Sequence, residues 1–124
     1  MDTHEALIII GQNSVTSPHY SAGSFVGRLH EEGVWDHYLF HELSDALNAL
    51  AVESASQDIK GIAFDIYSYV VGVSLLAHAD PNDGFKINNI SMEEFYDLRD
   101  KVEVAFRRLL GSRKFLPTER MTVW

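Results

Sequence analysis

Apolar residues recur three and four positions apart along much of this chain, the spacing of one face of an α-helix. A short helix is predicted from Ser24, a candidate N-cap, to about Glu32, with Gly33 ending it. A second helix is predicted to begin near Asp36, with polar residues on its outer side. Its apolar positions repeat at helical spacing and comprise Trp35, Leu39, Leu43, Leu47 and Leu50.

A third predicted helix differs from the others because apolar side chains surround it. It starts after Ser54, three residues before Gln57, which is the spacing of a capping box. It ends near Ala79, because Pro81 cannot continue a helix. Between Gly61 and His78 a single aspartate carries a formal charge. Such a helix is a core element or meets another protein with its extra face, and its polar residues argue against a membrane span.

A fourth helix is predicted after the turn signal Asp80–Gly84. Ser91 and Glu94 form a capping-box pattern at its start, and Gly111 stands at the C′ position at its end. The apolar stripe between them comprises Phe95, Leu98, Val102, Ala105, Phe106 and Leu109.

The two ends of the chain predict short strands. Ala6–Ile10 is an apolar run with three consecutive β-branched residues, and a polar loop, residues 11–23, follows it. Met121–Trp124 could pair with this strand. We therefore expect a mainly α fold, a compact bundle of about four helices around the apolar third helix, with a short two-stranded sheet formed by the termini. By length, residues 1–124 form one domain.

The composition is that of a globular protein, with 46% hydrophobic and 23% charged residues. The chain has no cysteine, which excludes a disulfide framework, a thiolate metal site and a cysteine nucleophile. Its N-terminus is acidic, and the apolar stretch that follows is too short for a signal peptide. We expect a cytoplasmic protein that does not associate with membranes.

Charge is distributed unevenly along the chain. Residues 1–98 contain fifteen Asp or Glu and three Lys or Arg, a balance of −12. Residues 99–124 contain three acids and seven bases, a balance of +4, and the two sum to the net charge of −8. The acidic excess of residues 1–98 would repel nucleic acid and would suit a basic protein partner. The basic residues near the end of the fourth helix complement its dipole.

A candidate metal site involves His37 and His41, which lie four residues apart on a predicted helix. Their imidazoles could share a face and bind a metal, with Glu42 or His30 nearby. The pair lacks the glutamate directly after the first histidine that supplies the general base of a zincin. A surface position explains both histidines without a metal.

Other candidate sites are also incomplete. The turn from Asp80 to Gly84 lacks the ligand spacing of an EF-hand loop. Asp65 has no sequence-adjacent partner for acid–base chemistry, and Gly23–Gly27 does not match the nucleophile elbow of hydrolases. We therefore assign no catalytic residue, metal ligand or cofactor, and expect that the protein is not an enzyme.

Three segments resemble a family of bacterial polymorphic-toxin immunity proteins, which guard cells against toxins of contact-dependent growth inhibition and related systems. They are Tyr20–Asp36, His78–Ile87 and Ser91–Arg99, and the similarity extends over about residues 18–110. Residues Met1–Gln12 depart from this pattern.

The resemblance implies a non-catalytic inhibitor that binds the C-terminal toxin domain of a cognate effector. Such toxins are frequently nucleases with basic clefts, which an acidic protein can occupy or flank. We expect a monomer or weak dimer. Trp35 or Tyr38 could serve as an aromatic anchor, although core packing also explains Trp35. The candidate toxin-binding residues are the acids near predicted helix ends and loops: Glu31, Glu32, Asp36, Glu42, Asp45, Asp80 and Asp83.

Two alternatives remain open at this point. A small regulatory or scaffold domain could self-associate through the spare apolar face of the third helix. A metal-dependent enzyme would use His37 and His41.

Overall fold

The computed structural model describes residues 1–52 and 55–111. The chain within these ranges forms five helices and no strand, so the mainly α prediction is confirmed there. The helices are α1 (Thr3–Asn13), α2 (Phe25–Glu32), α3 (His37–Val52), α4 (Gln57–Ala79) and α5 (Met92–Leu110).

The predicted ends of α2 and α5 are confirmed by their caps. The hydroxyl of Ser24 accepts a hydrogen bond from the backbone of the third helical residue, and Gly33 ends α2 at a φ of 65°. Ser91 and Glu94 form the reciprocal capping box of α5 at 3.1 and 2.8 Å. Gly111 ends that helix at a φ of 67°, a conformation that favours glycine.

The strand predicted at Ala6–Ile10 is wrong, because these residues lie inside α1. Asp2 caps this helix by accepting a hydrogen bond from the backbone of Glu5 at 2.8 Å. Helical periodicity outweighs the β propensity of the isoleucines, and the terminal sheet is therefore wrong as well. Its proposed second strand, Met121–Trp124, lies outside the described residues. The buried positions of α1 are Ala6, Ile9, Ile10 and Asn13.

Four helices surround the core in the cyclic order α1, α3, α5, α4, each contacting the next. Helix α2 packs against α1, α3 and the second half of α4. The predicted central position of the apolar helix is wrong, since α4 takes one corner and turns only one stripe inward. Only 28% of the most apolar 18-residue window of α4 is buried inside the bundle. The corner helix α3 buries its inner stripe fully, with Leu43, Ala46 and Leu47 at 0% exposure.

Helix α4 begins two residues later than predicted. Its N-cap is Ser56, whose hydroxyl accepts a hydrogen bond from the Ile59 backbone at 3.2 Å. Ser54, the predicted cap, lies outside the described residues. The middle of the helix, Ser68–Leu75, is wound as a π-helix. The helix ends at Ala79, as predicted from the proline that follows.

Among the described helices, one, α4, is long and apolar enough to cross a membrane when judged by length and composition alone. Its most apolar window has a mean hydropathy of 1.5. Core helices of soluble proteins have the same length and composition, so these two properties of a single helix do not indicate a membrane span. Asp65 is exposed near its middle.

An aromatic cluster holds the α2–α3 corner of the bundle. Trp35 is completely buried, which confirms its core packing. The rings of Phe25 and Phe40 lie 4.9 and 5.4 Å from it, measured between centroids. This cluster positions the turn that carries several of the candidate binding residues.

Candidate protein-binding surface

Three candidate acids flank the turn between α2 and α3. Glu31 and Glu32 end α2 and are exposed, whereas Asp36 precedes α3 and is partly buried. Arg28 binds two of them, with nitrogens 3.0 Å from the Glu32 carboxylate and 2.6 Å from the Asp36 carboxylate. The arginine therefore neutralises part of this group, and Glu31 keeps a solvent-facing charge.

Asp36 also has a structural role at the start of α3. Its carboxylate accepts a hydrogen bond from the Leu39 backbone at 3.0 Å. That hydrogen bond, together with Arg28, holds the pKa of the Asp36 carboxyl below its usual value despite partial burial. The carboxylates of Glu32 and Asp36 in turn raise the pKa of Arg28. Asp36 thus caps the helix as a stable anion.

Asp80 and Asp83 shape the loop that follows α4. Their carboxylates accept hydrogen bonds from the backbones of Asn82 and Phe85, at 2.9 and 2.8 Å. The Lys86 ammonium donates to both aspartate carbonyls, at 2.8 and 3.0 Å. These two acids therefore fold a turn, and their remaining carboxylate oxygens face solvent.

This loop is fastened to the α2–α3 turn, which brings two acidic segments to the same end of the molecule. The Asn88 backbone donates to the Gly33 carbonyl at 2.7 Å. The Asn89 side chain both accepts from the Trp35 backbone and donates to its carbonyl, each at 2.8 Å. Sequence reasoning missed Asn88 and Asn89, because their partners lie more than fifty residues away.

Glu42 and Asp45 lie farther along α3, on its outer side. Asp45 is exposed and lies 3.7 Å from the His41 ring. Since a helix rises about 1.5 Å per residue, Asp45 stands roughly 13 Å beyond the α2–α3 turn. Tyr38, one turn before Glu42, is 76% exposed and can act as an aromatic contact.

The seven candidate acids therefore form an extended surface, not one compact site. It runs from the loop at Asp80–Asp83 across the α2–α3 turn and along the outer side of α3. We call it the acidic surface, and it comprises Glu31, Glu32, Asp36, Glu42, Asp45, Asp80 and Asp83.

A cluster of tyrosines and a histidine borders the acidic surface where α2 meets the π-helical part of α4. The Tyr69 hydroxyl is hydrogen-bonded to Nδ1 of His30, whose other ring nitrogen lies 4.0 Å from the Glu31 carboxylate. Burial raises the pKa of Tyr69, and burial and the charge of Glu31 raise that of Tyr20. Both phenols are therefore neutral. The Tyr20 hydroxyl is buried and has no hydrogen-bond partner among the described residues.

Among the residues that the structure describes, no third metal ligand joins the histidine pair of α3. His37 and His41 are both exposed, and His30 is engaged by Tyr69 on α4. Within residues 1–52 and 55–111, no three His, Cys, Asp or Glu side chains are grouped to hold a metal. Asp65 is exposed on α4 and forms no hydrogen bond or ion pair with another described side chain.

Comparisons of this chain with protein-family models, with curated proteins and with solved structures found no match. The resemblance to immunity proteins therefore stays a prediction, and the function is argued from the surface of the molecule.

Proposed function

We propose that this protein is an immunity protein that binds and neutralises the C-terminal toxin domain, a nuclease, of a contact-dependent growth inhibition effector. The observation that carries the proposal is the acidic surface at and beside the α2–α3 turn. In this proposal the protein is cytoplasmic, is not an enzyme, needs no cofactor, binds neither nucleic acid nor membrane, and acts as a monomer or weak dimer.

Charge supports a basic partner. A nuclease must hold phosphates, so its cleft presents Lys and Arg side chains, and an acidic protein can cover them. Opposite charges speed the encounter of two proteins and reject partners of the wrong sign. Binding of this kind weakens as salt screens the charges.

Residues of the acidic surface have different expected roles. Glu31 and Asp45 are exposed and Glu42 is partly exposed. No Lys or Arg among the described residues forms an ion pair with these three acids. They are the expected direct contacts. Asp36, Asp80 and Asp83 cap or turn the backbone, so they hold the surface in shape.

The test mixes the purified protein with the toxin domain encoded immediately upstream of its gene. A stoichiometric complex and loss of toxin activity are expected, with weaker binding at high salt. Charge reversal at Glu42 and Asp45 should reduce the association rate by about tenfold or more, because rim charges act mainly on that rate. Asp65→Lys is the matched control, since it reverses an exposed acid on α4.

Two results would overturn the proposal. One is the absence of a complex at micromolar concentration and moderate salt. The other is a gene neighbourhood without a toxin gene. If Asp65→Lys alone abolishes the complex, the contact surface is α4 and not the acidic surface.

The outer face of α4 favours a second candidate function, self-association as a regulatory or scaffold domain. Val73 and Leu76, three residues apart on α4, are 52% and 62% exposed. Apolar residues gathered on one helix face are typical of contact surfaces. A mass that rises with protein concentration in light scattering, and that Leu76→Glu prevents, would support this candidate over the first.

A further inference from the structure

A groove separate from the acidic surface lies between the start of α4 and the end of α5. Its volume is about 500 Å³, within the range of small-molecule sites. The two helices run antiparallel here, because Lys60 lies beside Arg108 whereas Tyr67, farther along α4, contacts Glu103, which is earlier on α5. The lining residues are Gln57, Lys60, Gly61, Phe64, Tyr67, Glu103, Phe106, Arg107 and Leu110.

The floor of the groove is aromatic. The Tyr67 ring stands edge-on to Phe106 with centroids 5.5 Å apart, and the centroid of the Phe64 ring lies 6.4 Å from that of Tyr67. Phe64 is 56% exposed although it belongs to this floor. An exposed aromatic over a concave floor can bury more area when a ligand covers it.

The polar atom of the floor is already satisfied within the protein. The Tyr67 hydroxyl donates a hydrogen bond to the Glu103 carboxylate. Burial and this carboxylate raise the pKa of Tyr67 to about 12, so the phenol keeps its proton. The Glu103 carboxylate is therefore held by the Tyr67 hydroxyl, and the other floor residues, Phe64 and Phe106, are apolar.

The rim of the groove is cationic on both sides. Lys60 projects from α4 and Arg107 from α5, and neither forms an ion pair with an acid among the described residues. Arg108 and Lys60 also line a smaller hollow beside it. In a chain of net charge −8, these three cations lie close together.

We propose that this groove binds a small apolar anion, an aromatic or aliphatic carboxylic acid, with its carboxylate between Lys60 and Arg107. The apolar body lies on Phe64, Tyr67 and Phe106. Charge complementarity decides the sign of the ligand, because the lining holds two cations, Lys60 and Arg107, against the single carboxylate of Glu103. A basic protein segment would be repelled here, so this site is independent of the proposed toxin contact.

The test titrates the full-length protein with naphthalene-2-carboxylate and, separately, with the neutral naphthalene-2-carboxamide, by calorimetry and NMR. The carboxylate is expected to bind about tenfold more tightly than the amide, since a charge-assisted hydrogen bond is about twice as strong as a neutral one. Lys60→Gln and Arg107→Gln should each remove most of that preference. Arg108→Gln is the charge-matched control and should bind like the wild type.

Gly61→Leu blocks the groove without disturbing the fold. A Cβ at this position meets no atom within 4 Å, and Gly61 lines the groove, so the rest of the leucine side chain extends from a position without steric conflict. Leucine also favours a helix over glycine, so thermal stability should stay equal or rise while ligand binding is lost. Equal affinity for acid and amide, or undiminished binding by Gly61→Leu, would overturn the proposal. No binding of either probe at millimolar concentration would overturn it too.

Discussion

Helices α3 and α4 stand at opposite corners of the same bundle and use their apolar residues differently. Helix α3 is amphipathic, and its inner residues Leu43 and Leu47 are completely buried. Helix α4 is more apolar, but 28% of its most apolar window is buried and Leu76 is 62% exposed. Each corner helix turns one stripe toward the core, so the apolar residues that α4 carries on its other sides stay exposed, and the mean hydropathy of a helix does not measure how much of it is buried.

The sharpest test of this difference removes the same side chain from each helix. Leu47→Ala should lower the free energy of unfolding by about 2–5 kcal/mol, because it leaves a cavity in the core. Leu76→Ala should change it by less than about 0.5 kcal/mol, as exposed substitutions do. Urea denaturation of both variants and the wild type measures the two changes in the free energy of unfolding. Equal losses would show that the outer face of α4 is covered in solution.

Two helical glycines give effects of opposite sign. A Cβ at Gly27 would lie 2.2 Å from the Ser21 carbonyl oxygen, so Gly27→Ala forces backbone apart and should cost about 1–3 kcal/mol. A Cβ at Gly72 on α4 meets nothing within 4 Å, so Gly72→Ala should gain about 0.5–1 kcal/mol. Thermal melts compare the two. A destabilised Gly72→Ala would mean that another molecule packs on α4.

Two aspartates extend the comparison to polar residues. Asp36→Ala removes the cap of α3 and a partner of Arg28, at a cost of about 0.5–2 kcal/mol near neutral pH. Asp65→Ala on the outer side of α4 should stay within about 0.5 kcal/mol. Both are measured by chemical denaturation.

Acid should erase the Asp36 effect. The folded-state pKa of Asp36 lies below its ordinary 3.8, so the stabilisation is present above that pH and is lost as pH falls through the lowered pKa. The wild type and Asp36→Ala should therefore converge in stability below pH 3.8. A constant difference down to the lowest pH at which the fold survives would contradict this account.

The smallest expected effect is a pH dependence at the C-terminal end of α4. Burial, aided by the charge of Lys86, lowers the pKa of His78 from 6.5. Its Nδ1 accepts a hydrogen bond from the Ile87 backbone at 2.8 Å, which requires the neutral ring at that nitrogen. The unfolded chain therefore binds more protons below pH 6.5, and stability should decline as pH falls through that region.

His78→Gln should flatten this decline relative to the wild type, as followed by denaturant midpoints across the same pH range. Identical slopes in the wild type and His78→Gln would show that His78 titrates alike in both states.

The candidate site was only partly predictable from sequence. The acids were identifiable by their charge, but the capping and turn roles of Asp36, Asp80 and Asp83 depend on backbone groups that the fold places beside them. The bond between His30 and Tyr69 joins residues 39 positions apart, so no local pattern could predict it.

Local signals in the sequence determined where most helices begin and end. Ser24 and Ser91 cap helices, Gly33 and Gly111 terminate them, and a proline stops α4, because each acts on its own backbone within a few residues. The isoleucines of α1 predict a strand wrongly, because a run of five residues is too short to distinguish the period of a strand from that of a helix. Only the tertiary structure decided that α4 lies at a corner with an exposed apolar face, since burial depends on which distant segments pack against a helix.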